Sequence, residues 1–196
     1  AIDLAVGKNL CGAFYQPALV ISDTDFLKTL SPKQVRAGLS EVVKYGLILD
    51  RSLFCLIEKE YPKILSCQKG IMERVIKRCA ELKAGIVSRD EREEKGLRTI
   101  LNFGHTVAHA IEKAGGYRLY GHGEAVALGM IAEAKISEKL GMLDRKEYER
   151  IVFLIQRMKL SGRMKALNTE SIMQAQLYDK KFRGQINSCL LYTSDA

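Results

Sequence analysis

Segments with helical apolar spacing follow one another along most of this chain, and they limit its fold more than any other feature. Ser31-Pro32 is a strong helix start, because serine caps a first turn well and proline suits the first helical position. The helix that follows carries toward one side Val35, Leu39, Val42, Val43 and Gly46. Apolar spacing predicts further helices at about 51–60, 69–88, 98–113, 122–140, 145–158 and 169–176.

Strand patterns are few by comparison. The run Ala18-Leu-Val-Ile-Ser-Asp23 predicts a short buried strand, and Ile186 to Tyr192 predicts a short terminal one. Gly115-Gly116 and Gly141 are typical helix stops. We therefore expect a mainly α fold, with a short β remnant at its N-terminal edge.

Composition narrows the class of protein. A chain of 196 residues that is 47% hydrophobic can form one domain with a real core. We expect no membrane span, since no apolar run reaches the roughly 18 residues needed. The N-terminus lacks a signal-peptide pattern and an initiator Met, so we expect the chain to begin inside a larger protein. The odd, scattered set of five cysteines favours a reducing cytoplasm.

A net charge of +8 is typical of proteins that bind anions. The basic residues are spread along the chain and aromatic residues make up only 7%, so a nucleic-acid-binding surface is the weakest interpretation. A small anionic substrate fits the charge better, and we expect neither nucleic acid nor membrane as a partner.

All three histidines lie between Arg98 and Glu124. His105 and His109 are four residues apart, so on a helix they share a face. His122 follows a glycine-containing break, from which a returning chain could reach the same face. Imidazoles beside carboxylates favour a zinc site over an ordinary buried histidine.

His105 and His122 are the best imidazole ligands, and the third ligand is open between three residues. His109, Glu124 and the distant Glu41 all qualify. Glu41 lies on the otherwise apolar face of the helix after Pro32, where an unpaired carboxylate would be costly to bury. The alternative is that it faces solvent and pairs with Lys44 at i+3.

Cationic residues form a second pattern. Arg98 precedes Asn102 by one helical turn, and together with Lys44 and Lys83 it could hold phosphate or carboxylate. For any one of these cations, a solvated surface position is the ordinary alternative. The acidic and basic stretch from Asp90 to Gly96 is predicted to be a solvated loop.

Four groups of residues give this chain a resemblance to the 3-dehydroquinate synthase family. They are Gly12–Pro17 with Asp23–Leu30, Arg36–Gly46, Leu97–Glu112 with its Asn-Phe-Gly-His-Thr segment, and Gly121–Val126. The resemblance spans about residues 1 to 185. It implies the family's helical metal-binding domain over 25–188, the end of a nucleotide-binding domain over 1–24, and an atypical tail over 189–196.

The resemblance also implies residue roles. Zn²⁺ or Co²⁺ would be ligated by Glu41, His105 and His122. Catalytic contacts to substrate would come from Lys44, Lys83, Arg98, Asn102 and His109. Further substrate contacts would come from Asp3, Asn9, Lys180 and Lys181, and NAD would be contacted by Lys8, Phe26, Leu27, Lys28 and Thr29.

The reaction so implied converts 3-deoxy-D-arabino-heptulosonate 7-phosphate to 3-dehydroquinate and phosphate in a cytoplasmic homodimer. It proceeds through NAD-dependent oxidation, phosphate elimination, reduction and an intramolecular aldol closure. Metal would serve as Lewis acid and template, while lysine and arginine hold the anionic ends.

The chain departs from the family pattern in three places. It has no GxGxxG segment or nucleotide-binding half, it lacks most of a glycine- and lysine-containing loop after Val6-Gly7, and its last eight residues do not continue the closing strand. We therefore expect the isolated chain to bind zinc without turning over substrate. The alternatives are another sugar-phosphate cyclase on the same scaffold and a non-catalytic zinc-binding helical module.

Overall fold

The computed structural model of this chain is built mainly of helices. It describes residues 2–4, 7–12, 15, 17–92, 94–162, 168–177, 182–183 and 186–187, with side chains described over 11–12, 15, 17–92, 94–162 and 168–176. The α-helices are α1 (Pro32–Ile48), α2 (Arg51–Leu65), α3 (Lys69–Arg89), α4 (His105–Ala114), α5 (His122–Lys139), α6 (Arg145–Arg157) and α7 (Thr169–Leu177). Two 3-10 helices span Thr24–Thr29 and Leu97–Asn102.

Helix α1 begins where the Ser-Pro pair predicts. The Ser31 hydroxyl accepts a hydrogen bond from the Gln34 N–H, and the Ser31 N–H donates to the Gln34 side chain at 2.8 Å. This capping box satisfies two backbone groups that a helix start otherwise leaves without partners. Downstream, α1 buries Leu39 and Val43 in the core, as its apolar spacing predicts.

The helices enclose one apolar core. Helix α1 packs against α2 and α5, α4 packs against α5 and α7, and α5 also contacts α6. Among its fully buried side chains are Leu39, Val43, Ile57, Phe103, Met130 and Ile155. Helix α5 is therefore central, which places its first turn beside both α1 and α4. Across the described residues, none of the helices has the length and apolar character needed to traverse a bilayer.

The strands differ from the prediction. Residues 18–23 form no strand, and the Leu19, Val20 and Ile21 side chains are exposed, because no neighbouring strand among the described residues pairs with them. Sequence patterns missed an antiparallel hairpin of β1 (Ile2–Leu4) and β2 (Gly7–Cys11).

A second short pair joins the end of the described chain. Strands β3 (Phe182–Arg183) and β4 (Ile186–Asn187) are antiparallel. Strand β4 falls at the start of the predicted terminal strand, whose remaining residues, 188–192, lie outside the described residues.

The predicted helix over 98–113 is also wrong in its first half. The 3-10 helix ends at Asn102, Phe103 is extended, and Gly104 has a φ of 78° before α4 begins at His105. A side chain at Gly104 would be strained at this φ and would meet the Met130 side chain at 2.7 Å. The glycine thus ends one helical segment and starts the next, which sets the direction of His105.

The predicted solvated loop contains one buried anchor. Asp90 is only 2% exposed, and its carboxylate accepts hydrogen bonds from the Lys95 N–H at 3.0 Å and the Arg98 N–H at 3.4 Å. The hydrogen bond from Lys95 is the main reason why the pKa of Asp90 is lowered. Asp90 thereby holds the start of the 3-10 helix that carries Arg98 and Asn102.

Candidate metal centre

Three helices bring one carboxylate and two imidazoles together. Glu41 comes from the middle of α1, while His105 and His122 are the first residues of α4 and α5. One ligand atom from each of the three residues lies within 4.8 Å of the other two. Glu41 Oε1 is 3.3 Å from His105 Nε2 and 3.8 Å from His122 Nε2.

Both imidazoles have their other ring nitrogen engaged. His105 Nδ1 lies 3.2 Å from the Phe103 carbonyl oxygen, and His122 Nδ1 lies 3.2 Å from Glu112 Oε1. Each partner is an acceptor, so we assign the proton to Nδ1 in both rings. This assignment leaves the Nε2 lone pairs facing Glu41, as a metal site requires.

Glu41 lies in a cationic setting. Its second oxygen, Oε2, is 2.5 Å from the Nζ atom of Lys44, which is only 4% exposed. Burial alone would raise the pKa of Glu41, but the contact with the His105 imidazole and the charge of Lys44 outweigh it and lower the pKa to about 2. Burial also lowers the pKa of Lys44, and the nearby charge of Lys83 adds to this effect. The carboxylate is therefore ionised and ready to bind a cation at neutral pH.

A buried carboxylate from α5 holds the start of α4. Glu133 is fully buried, and its side chain accepts hydrogen bonds from the Gly104 N–H at 2.6 Å and the Val107 N–H at 3.3 Å. Gly104 has no side chain to cap the helix, so Glu133 takes over that function from a neighbouring helix. The contact fixes the turn immediately before His105.

A cavity of about 420 Å³ opens at this group of side chains, lined by His109, Glu112, Tyr117 and His122. His109 is exposed, and its ring centroid lies 5.8 Å from that of His105 and 6.5 Å from that of His122. The cavity gives a small molecule access to the imidazole cluster from solvent.

Of the three candidates for a third ligand, Glu41 is the one that the structure brings to the two imidazoles. Glu41 lies near the Nε2 atoms of both His105 and His122. These three residues could together hold a metal ion, and the group includes neither His109 nor Glu124. Glu124 instead accepts a hydrogen bond from the Gly121 N–H at 3.1 Å and caps α5. The alternative pairing of Glu41 with Lys44 is present at the same time, through the other carboxylate oxygen.

The predicted cationic residues are placed on two sides of this centre. Lys44 is buried next to Glu41, and Lys83 on α3 is exposed but close enough to act electrostatically on Lys44. Arg98 and Asn102 are half-buried on the 3-10 helix, where Arg98 Nη1 donates to the Glu91 carbonyl oxygen at 3.3 Å.

The proposed cofactor segment lies apart from the three ligands. Phe26, Leu27, Lys28 and Thr29 belong to the first 3-10 helix, which meets α3 near its start through Asp25 and Lys69, 4.0 Å apart. Lys83 lies 14 residues further along α3, a helical distance of about 21 Å. The side chains of Asp3, Lys8 and Asn9, and all of Lys180 and Lys181, lie outside the described residues.

Two residues that position the site were missed by sequence reasoning, Glu112 and Glu133. Glu112 follows His105 by seven residues and His109 by three, so helical spacing could have placed it on the same face. Glu133 could not be found in this way, because its partners are backbone groups of another helix.

Comparison with known proteins identifies the family. A model of the 3-dehydroquinate synthase C-terminal domain matches residues 38–182, and one of the N-terminal domain matches residues 1–37. The chain belongs to the 3-dehydroquinate synthase family. The resemblance drawn from its motifs is thereby confirmed, as is the mainly α fold with its short β elements.

Relatives within this family are closely similar in sequence. A 3-dehydroquinate synthase of Thermoanaerobacter pseudethanolicus is 47% identical over 97% of this chain and 54% of that protein. One of Desulforamulus reducens is 44% identical over 92% of this chain and 50% of that protein. The chain thus spans about half the length of these 3-dehydroquinate synthases.

Solved structures share the architecture. A 2-deoxy-scyllo-inosose synthase complexed with carbaglucose-6-phosphate, NAD⁺ and Co²⁺ superposes with a TM-score of 0.72 at 32% identity, over 97% of this chain and 51% of that one. The 2-epi-5-epi-valiolone synthase ValA of Streptomyces hygroscopicus subsp. jinggangensis, with NAD⁺ and Zn²⁺ bound, gives a TM-score of 0.83 over 97% of this chain and 53% of that one. At 24% identity, ValA supports the fold alone.

Proposed function

We propose that this chain is the metal- and substrate-binding half of a 3-dehydroquinate synthase, a lyase that releases phosphate from a seven-carbon phosphorylated keto acid. The single observation that carries the proposal is the meeting of Glu41, His105 and His122 beside the buried Lys44. Family membership and relatives at 44–47% identity support the reaction assigned to it.

The donor set fits a divalent ion of the zinc type. One carboxylate and two Nε2-directed imidazoles make three protein ligands, and three ligands leave a position open for a substrate oxygen. A bound Zn²⁺ or Co²⁺ would act as Lewis acid and template for the substrate hydroxyls. A structural zinc is normally bound by four protein ligands, whereas this group supplies three. The exposure of the His122 side chain leaves room for a further ligand from solvent, as in a catalytic site.

The surrounding residues of this chain would bind and orient the substrate. Lys44 presents a desolvated ammonium that would hold an anionic group, with Lys83 adding positive potential from α3. Arg98 and Asn102, on the adjoining 3-10 helix, would bind the carboxylate or phosphate end. His109, exposed beside the two imidazole ligands, would hold or transfer a proton at a substrate oxygen.

The hydride step belongs to NAD, which would oxidise and later reduce the substrate. We assign Lys8 and the segment Phe26–Thr29 to contact with the cofactor, and Asp3, Asn9, Lys180 and Lys181 to further contact with substrate. The exposed Phe26 ring is accessible for such a contact. We further propose that the enzyme is a cytoplasmic homodimer.

The metal-binding part of the proposal can be tested by zinc titration of the 196-residue chain. We expect one equivalent of Zn²⁺ to bind, and Glu41→Gln, His105→Ala and His122→Ala each to weaken binding more than the 10–100-fold typical of outer-sphere partners. Cys67→Ser removes a potential metal ligand away from the centre and serves as the control. Equal zinc affinity in all five proteins would contradict the proposal.

Turnover requires a separate test. The isolated chain, offered its substrate, NAD and Zn²⁺, should release no phosphate, because it spans only about half the length of the 3-dehydroquinate synthases that it matches. Phosphate release above the rate of the His105→Ala variant would contradict this part of the proposal.

Another sugar-phosphate cyclase is the second candidate. It is favoured by the 32% identity and shared fold with 2-deoxy-scyllo-inosose synthase, which was solved with a carbocyclic sugar-phosphate analogue. Product analysis by mass spectrometry of a full-length enzyme that contains this chain, with either sugar phosphate offered, separates the two candidates.

A further inference from the structure

Glu112 contacts a proposed metal ligand, although the reaction assigned to this site gives it no role. It lies near the end of α4, three residues after His109, and is 8% exposed. Its Oε1 atom is 3.2 Å from His122 Nδ1, so the contact joins α4 to the first residue of α5. A carboxylate this well buried requires a donor, and the imidazole N–H supplies one.

The two imidazoles are held in different ways. His105 is 13% exposed in its side chain, and its Nδ1 faces a neutral backbone carbonyl of Phe103. His122 is 49% exposed, so surrounding side chains restrict its ring far less. Its direction therefore depends more strongly on the one polar contact that it makes through Nδ1, the contact with Glu112.

The charge of Glu112 adds a second effect. A carboxylate accepting from Nδ1–H keeps the proton on that nitrogen and leaves the Nε2 lone pair toward Glu41. It also makes the imidazole a stronger electron donor at Nε2 than a neutral acceptor would. A single residue thus controls both the direction and the donor strength of the more exposed imidazole.

We propose that Glu112 is a positioning residue that raises the affinity of this centre for a divalent metal ion through His122. The inference rests on the proposed function, since it takes Glu41, His105 and His122 to be the metal ligands. It concerns a carboxylate on α4 that lies outside the group formed by Glu41, His105 and His122.

Zinc affinity, measured by competition with a chelating indicator, tests this role without turnover. Glu112→Gln keeps a hydrogen-bond acceptor and loses the charge, and it should weaken zinc binding about tenfold. Glu112→Ala loses both and should approach a hundredfold, within the range found for outer-sphere partners. Glu58→Gln is the control, because it removes a part-buried carboxylate that pairs with Arg150 away from the site.

A spectroscopic signature separates positioning from general destabilisation. In ¹H–¹⁵N spectra of the zinc-free chain, the His122 ring should be the Nδ1–H tautomer, and in Glu112→Ala it should shift toward Nε2–H. The control Glu58→Gln should leave the tautomer and the zinc affinity unchanged. If Glu112→Ala does not fold, the affinity and tautomer of Glu112→Gln, a change of almost no volume, decide the question.

The outcomes distinguish this inference from the function on which it rests. Zinc affinity of Glu112→Gln within twofold of the unsubstituted chain, while His122→Ala binds far more weakly, would overturn the role of Glu112 alone. Absence of zinc binding by the unsubstituted chain would overturn the proposed metal centre, and the inference with it.

Discussion

At the residue scale, the proposed ligand set depends on which side-chain atoms come close to one point. Glu41, His105 and His122 converge although they come from three helices, whereas His109 lies on the same helix face as His105 and stays outside the group. Helical spacing alone cannot tell which of the two histidines is the ligand, because residues on one helix face can still lie several ångströms apart. Zinc affinities of variants at His105 and His109 can therefore distinguish a metal ligand from a neighbouring residue.

His109→Ala should leave the metal centre intact. We expect its zinc affinity to remain within threefold of the unsubstituted chain, because the ring centroid of His109 lies 5.8 and 6.5 Å from those of the two imidazole ligands. His105→Ala, one turn earlier, is the matched comparison and should lose most of the affinity. Chelator competition measures both, and a loss in His109→Ala as large as that in His105→Ala would make His109 the third ligand.

At the element scale, sequence reasoning succeeded where local chemistry decides and failed where a neighbour does. The start of α1 follows from Ser31 and Pro32, and the end of α4 from Gly115, since caps and stops act within a few residues. The break at Gly104 was missed because it depends on the caps and packing that Glu133 and Met130 supply from α5. Residue spacing left the third member of the group around the two imidazoles open for the same reason, since Glu41 lies on another helix.

Asp50, the N-cap residue of α2, makes the free energy of unfolding depend on pH. The Asp50 carboxylate accepts hydrogen bonds from the Ser52 N–H at 2.9 Å and the Leu53 N–H at 3.1 Å, and it pairs with Arg78 of α3. Asp50→Ala should lower the free energy of unfolding by about 1–2 kcal/mol at pH 7. Urea unfolding measures the difference, and a change of under about 0.3 kcal/mol would contradict it.

The same carboxylate predicts the direction of an acid effect. Burial alone would raise the pKa of Asp50, but hydrogen bonds from Ser52 and Arg78 outweigh it and hold the pKa below 3.8. Its stabilisation is therefore complete above pH 3.8 and is lost as the pH falls through the lower folded value. Asp50→Asn, which keeps a capping oxygen without the charge, should show a shallower loss of stability below pH 3.8 than the unsubstituted chain.

The close packing of α4 against α5 also determines the distance between the two imidazoles of the proposed metal centre. An added Cβ at Gly129 on α5 would overlap the Gly104 carbonyl oxygen, directly before the helix that begins with His105. Gly129→Ala should therefore force the two helices apart, lower the free energy of unfolding by at least about 2 kcal/mol and weaken zinc binding. The two imidazoles are carried by these two helices, so both effects should appear together.

A glycine in open space provides the matched control. Gly85 on α3 has no heavy atom within 4 Å of an added Cβ, and Gly85→Ala should stabilise the chain by about 0.5–1 kcal/mol without changing zinc affinity. Thermal unfolding and zinc titration of both variants test the idea. Equal stability of Gly129→Ala and Gly85→Ala would show that the close approach does not limit the packing of α4 on α5.

At the scale of the whole molecule, the metal centre lies at the margin of a core that forms without it. Leu39, Val43, Phe103 and Met130 are buried around the junction of α1, α4 and α5, in an apolar cluster that contains none of the three proposed metal ligands. Removal of zinc by a chelator should therefore leave the far-ultraviolet circular dichroism unchanged. A small domain folded around a structural zinc would instead unfold.

Zinc should nevertheless stabilise the folded chain by mass action. A free concentration one hundred times the dissociation constant adds about 2.7 kcal/mol, which raises the Tm of a chain this long by about 5–10 °C. Glu41→Gln should bind zinc more weakly, so its Tm should rise much less at the same zinc concentration. The Tm of the zinc-free variant is the reference for this rise. Cooperative loss of helix on chelation at 25 °C would instead mean that the ion holds α1, α4 and α5 together, and the centre would then be structural rather than catalytic.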